Sequence, residues 1–116
     1  MSMIKDQLEQ LCDRLTAAGV EADYDPQFLN PDCAWVSPRS IEGQYLDGTL
    51  KISFDIYLIT PEADITAAVG RLDDLLQRAI SVVGGMVTDT DLATNVTMPS
   101  GAVCPAMKLT IQPPRN

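Results

Sequence analysis

From Leu50 to Ile59 the chain alternates. Leu50, Ile52, Phe54, Ile56 and Leu58 fall on one parity, and Lys51, Ser53, Asp55, Tyr57 and Ile59 on the other. A period of two is that of a β-strand, and an unbroken apolar parity means that one whole sheet face must be covered by other elements. Two segments have the helical period needed to cover it. In the first, Ile4, Leu8, Leu11, Cys12, Leu15 and Ala18 recur at intervals of three and four, opposite Asp6, Glu9, Gln10, Asp13 and Arg14. Gly19 supplies its C-terminal stop. The second opens at Thr60-Pro61-Glu62-Ala63-Asp64, with Thr60 or Asp64 as the cap. It carries Ile65, Val69, Leu72, Leu76, Ala79, Ile80 and Val83 along one stripe and ends at Gly84-Gly85. Burying that stripe is worth on the order of 10 kcal/mol before entropy is subtracted. An exposed pair such as Asp74–Arg78 is worth only a few tenths. The second helix is therefore expected to dock on the sheet.

Shorter strands are expected around Val20–Ala22, at Cys33–Ser37 (closed by Pro38) and at Ile41–Leu46. Asp47-Gly48 is the expected hairpin turn into the long strand. Asp23–Asp32, with Pro26 and Pro31, reads as an irregular connection. A second hairpin joins Thr94–Met98, through Pro99-Ser100-Gly101, to a return strand in Ala102–Gln112 with Val103, Met107, Leu109 and Ile111 on one face. Pro105 cannot donate to a ladder and is expected on an edge or at a bulge. The tail Gln112–Asn116 is not expected to be regular. The fold class is α+β: a two-layer domain, residues 1–116, with a mostly antiparallel β-sheet and two amphipathic helices packed on one face.

The chain has 116 residues, 46% of them apolar and 21% charged, with net charge −8. This is enough length to bury a core without staples. Its Lys and Arg residues are isolated from one another, and the negative charge opposes tight wrapping around nucleic acid. Cys12, Cys33 and Cys104 have no metal or redox spacing and are read as small buried hydrophobes in a reducing compartment. The N-terminus lacks the apolar core of a signal peptide, and no stretch is long enough to span a bilayer, so no membrane partner is expected and a cytoplasmic location is.

No catalytic, cofactor-binding or metal-binding residue is assigned. The chain has no histidine, which removes Ser-His-Asp and Cys-His chemistry and most catalytic zinc sites. It has no Walker A, G-x-G-x-x-G or G-x-S-x-G motif. Asp73-Asp74 are neighbours on a helix and diverge by about 100°. Asp23-Tyr24-Asp25 and Asp89-Thr90-Asp91 are expected in loops. The second resembles the start of a calcium loop, but its sixth position is Thr94 rather than glycine and its twelfth is Ser100 rather than glutamate. Asn95-Val96-Thr97 matches a glycosylation sequon without a secretory context. Trp35 is read as a core residue. Tyr57 and Ile59 are read as the apolar end of a water-facing row that suits a partner.

The block Asn30-Pro31-Asp32-Cys33-Ala34-Trp35-Val36-Ser37-Pro38, behind an N-terminal amphipathic helix, resembles the tail terminator (tail completion) proteins of long-tailed, non-contractile phages, especially those of actinobacteria. The long strand Thr49–Thr60, the helix after it and the final strand match that layout. Asp32 stands where a second proline is expected. The resemblance implies a non-enzymatic virion protein at the head–tail junction that forms a homo-oligomeric, typically hexameric, ring. Such a ring contacts the major tail tube protein and the head–tail connector protein and lets genome DNA pass without specific binding. The hairpin tip at Asp47-Gly48 and the strand edge near Pro105 are the expected contact regions. A head–tail connector or neck protein is the alternative. From another class comes a small-molecule binding domain with a cavity lined by Leu58, Leu72 or Trp35.

Overall fold

The structure is a computed structural model that describes residues 3–25, 27, 32–42, 51–61 and 64–112. The elements in order are α1 (Met3–Ala17), β1 (Ala22–Asp23), β2 (Cys33–Glu42), β3 (Lys51–Ile59), α2 (Ile65–Val83), a short 3-10 turn (Gly84–Met86), β4 (Val87–Thr97) and β5 (Val103–Ile111). The sheet order is β1-β2-β3-β5-β4. Among the described strands only the β1–β2 pair is parallel. Both helices lie on one face, α1 against β1 and β2, α2 against β3 and β5. The chain has the two-layer α+β architecture.

The main core sits between helices and sheet. Ile52, Phe54, Ile56 and Leu58 of β3, Ala34 and Val36 of β2, and Met107, Leu109 and Ile111 of β5 meet Leu8, Leu11, Cys12 and Leu15 of α1 and Leu72, Leu75, Ala79 and Val83 of α2. The side chains of Ile4, Leu50 and Ile65 lie outside the described set. Along α2 the buried stripe is Ala68, Leu72, Leu75, Ala79 and Val83. It is rotated from the expected one, so that Val69 and Ile80 are exposed. Small alanines let α2 approach the sheet, and the larger neighbours are turned to its flanks.

Helix α1 ends in a Schellman motif. Gly19 adopts φ +91°, its N–H donates to Thr16 O at 3.0 Å, and the Val20 N–H donates to Leu15 O at 2.9 Å. Leu15 and Val20 are both fully buried, which completes the apolar contact of that cap. At α2 the cap residue is Asp64, without a side-chain cap bond. Thr60 is buried beside Pro105, to whose carbonyl its N–H donates at 3.2 Å.

Three strand expectations are corrected. Residues 33–42 form one strand running through Pro38, with a bulge between Pro38 and Ser40. Past Trp35, β2 has no neighbour on its β1 side among the described residues, so an absent proline N–H is tolerated there. Strand β4 begins at Val87, so Asp89-Thr90-Asp91 are strand residues rather than a loop. Pairing with Lys108–Thr110 outweighs the low strand propensity of aspartate. Finally, β5 is interior and β4 is the edge. Pro105 is tolerated because the ladder with β3 stops at Ile59, opposite Ala106. Its carbonyl on that side accepts the Thr60 N–H, and the missing N–H would point there too, where the ladder has ended. The expected Asp47-Gly48 turn, residues 43–46 and Pro113–Asn116 lie outside the described residues.

Candidate interaction surface

The sheet face opposite the helices is organised in cross-strand rows. One end is a second, smaller core of Cys33, Ile59, Val96, Met98, Cys104 and Ala106. The register places Cys33, Ile59, Ala106 and Thr94 in one row. Val96, Cys104 and Met98 come from the part of the β4–β5 hairpin beyond the end of β3. Between Asp91 and Thr94 the pairing shifts by a bulge, which increases local twist and bends a hairpin. Ile59 is 1% exposed. The expectation that Tyr57 and Ile59 end a water-facing row is thus corrected for Ile59, which the chain's own hairpin covers.

Tyr57 is half-buried and stacks on Trp35 with ring centroids 5.1 Å apart and an interplanar angle of 24°. Both rings pack against this second core. The Trp35 indole N–H donates to Tyr24 O at 3.3 Å. Trp35 is therefore a partly buried wall of the second core. In the next row Asp55 is 8% exposed. It accepts hydrogen bonds from Thr110 Oγ1 at 2.8 Å and Arg39 Nη1 at 3.4 Å. These partners compensate a carboxylate that would otherwise be costly to bury.

The paired carboxylates of the sequence are separated and locally engaged. Asp73 accepts from Gln77 and Asp74 pairs with Arg78 at 3.2 Å, both exposed on α2. Asp23 and Asp25 accept backbone N–H groups of the following turn, and Asp89 accepts from the Thr90 N–H. Among the described residues no group of three or more Cys, Asp or Glu could hold a metal ion. All three cysteines are free and buried. Burial, reinforced by nearby carboxylates, pushes the Cys12 and Cys33 thiols up to about 12, so neither is a ready nucleophile. No described helix is long and apolar enough to cross a membrane.

Two hollows remain. A polar one of about 410 Å³ lies beside Gly19, Asp32, Arg71 and Arg78. Its arginines are already engaged, Arg71 with Asp32 and Arg78 with Asp74 and Gly19 O. The other is an apolar groove of about 310 Å³ between α2 and the root of the β4–β5 hairpin. Ala68, Val69 and Leu72 form one wall, and Leu92, Thr94, Asn95, Pro105, Ala106 and Met107 the other. Of the residues considered for a small-molecule cavity, only Leu72 lines it. Leu58 is fully buried and Trp35 lies on the opposite sheet face.

Val69 is 52% exposed, Leu92 59% and Val103 64%, and the first two line this groove. Val103 shares the strand parity of Pro105 and Met107 but lies in the hairpin beyond the groove. The strand reading of Ala102–Gln112 reached Val103 but not the groove. The sequence signal was available: Leu92–Met107 contains no Asp, Glu, Lys or Arg, the longest such run in the chain. Comparison of the chain with protein-family models and with curated proteins finds no match.

Proposed function

We propose that the chain is a structural subunit of a phage tail, a terminator that assembles into a ring, caps the tail tube, stops its polymerisation and meets the head connector. The observation that carries this reading is the edge strand β4, 11 residues long, whose hairpin with β5 runs beyond the end of β3. A sheet edge without a further strand among the described residues and a projecting hairpin are the material from which a closing, head-to-tail interface is built. The apolar groove at the hairpin root adds an uncovered surface beside them. The α+β class is the one that the resemblance of the Asn30–Pro38 block and the element order implies. An assembly role also suits carboxylates that are dispersed and occupied by local partners. In such a ring the net charge of −8 per subunit would repel phosphates and let DNA pass without adhering.

The test is to measure the protein's mass in solution, to search purified particles for it, and to add it to polymerising tail tubes. A terminator arrests tube growth and is recovered at the head–tail junction. Absence from the particle, or tubes that lengthen unchanged in its presence, refutes the reading. Recovery at the junction without arrest of growth favours the connector alternative.

A further inference from the structure

We propose that the groove between α2 and the β4–β5 hairpin receives the hairpin turn, Thr97–Val103, of a second copy of this chain. As the contact surface of the proposed ring it rests on that reading, but it is argued from a separate observation. The uncharged run Leu92–Met107 builds both halves of the contact: the projecting turn and one wall of the groove at its root. The α2 residues of the other wall are uncharged as well. Three pairs of residues, Asn95–Thr97 against Val103–Pro105, lie past the end of β3. They carry the turn past the end of the strand, where Met98 is buried in the second core and Pro99–Val103 are exposed.

The occupant follows from charge. Each copy carries −8, and screening over ~8 Å weakens long-range repulsion but not like charges pressed into contact. Copies of this chain can meet at least cost where neither surface has a charge to desolvate. A partner chosen for opposite charge would be basic and would settle on the carboxylate-bearing faces instead. Val69 and Leu92 leave apolar surface exposed in the groove, and a docked turn would cover it. Because turn and groove are different surfaces of one copy, the contact is head-to-tail, the type that closes into a ring or continues as a filament.

The experiment uses the full chain with Val69→Lys, which blocks the groove, and Ala102→Lys, which alters the turn. Both positions are exposed, so the melting temperature should stay within about 2 °C of wild type. Lysine also lowers the magnitude of the net charge, so any loss of association is local in origin. By sedimentation velocity the wild type is expected to associate. Each variant should sediment as one chain at concentrations where the wild type associates, its Kd raised at least about 100-fold. An equimolar mixture of the two variants keeps one intact turn and one intact groove, so it should give a two-chain species and nothing larger. A wild type that stays a single chain at about 1 mM, variants that associate like wild type, or a mixture without the two-chain species overturns the proposal. Association that ignores both lysines leaves the ring and removes this interface. Association lost with the lysines, in a protein absent from particles, leaves the interface and removes the tail reading.

Discussion

Replacing Gly19 by alanine tests the junction on which α1, β1 and α2 converge. At φ +91° an alanine Cβ is strained, at a cost of about 1–2 kcal/mol, partly offset by the reduced freedom of the unfolded chain. The new Cβ would also stand 3.1 Å from Arg78 Nη1. That group donates to Gly19 O at 3.1 Å. The guanidinium is half-exposed and can give way, so the disturbed bond adds only about 0.5 kcal/mol. Less an offset of about 0.7 kcal/mol, the sum is about 1–1.5 kcal/mol. For a chain of this length it lowers Tm by roughly 4–6 °C and moves the urea midpoint with an unchanged slope. Thermal and urea unfolding followed by circular dichroism measure both. In an Arg78→Ala background the same Gly19 substitution should cost about 0.5 kcal/mol less. Gly19→Asn should cost less than alanine because asparagine tolerates the left-handed region. A Gly19→Ala protein that melts within 2 °C of wild type would show that the cap does not bear the strain assigned to it.

Three further expectations concern the sheet and the thiols. Ile59→Ala should destabilise by about 2–4 kcal/mol because Ile59 belongs to the second core, whereas Val69→Ala should cost less than about 0.5; similar urea midpoints for the two would contradict the second core. Thr110→Val removes a hydroxyl donor from the buried Asp55 carboxylate and should cost about 1.5–3 kcal/mol by the same assay, while a neutral result would mean that Arg39 alone satisfies Asp55. For Cys12 and Cys33, burial and then neighbouring carboxylates raise the folded pKa from 9.0 to about 12. Their stabilising contribution is therefore complete below pH 9 and is lost as pH climbs from 9 toward 12. Urea stability should fall by up to about 1.4 kcal/mol per thiol per pH unit in that window. Cys33→Ala should flatten this slope, and a wild-type profile flat to pH 11 would refute the assignment.

The α+β class and its main core were legible in the order of the residues because periodicity is local. Leu8, Leu11, Cys12 and Leu15 are buried on a helix, Ile52, Phe54, Ile56 and Leu58 on a strand, and Gly19 and Gly84 stand at the two helix ends. Each follows from spacing within a few turns or pleats of one element. The tight turn at Gly101, φ +93°, was legible for the same reason. What depended on distant pairing was not. Nothing near Pro38 announces that its strand continues, because tolerance there depends on which neighbour is missing. Asp89 and Asp91 look like loop residues until β5 pairs with them.

The candidate surface belongs to this second class. An uncharged run from Leu92 to Met107 is visible in the sequence, but only the fold puts its turn beyond the sheet and half its wall against α2. The sequence alone thus determined that Leu58 faces the helices and Ile59 the other side, since neighbouring strand residues must point apart. Whether that other side met water was decided by a bulge between Asp91 and Thr94 and a hairpin that packs Val96 and Met98 against Ile59. Alternation sets which way a side chain points. Only tertiary structure decides what it meets there, because the atoms that cover it come from strands more than thirty residues away.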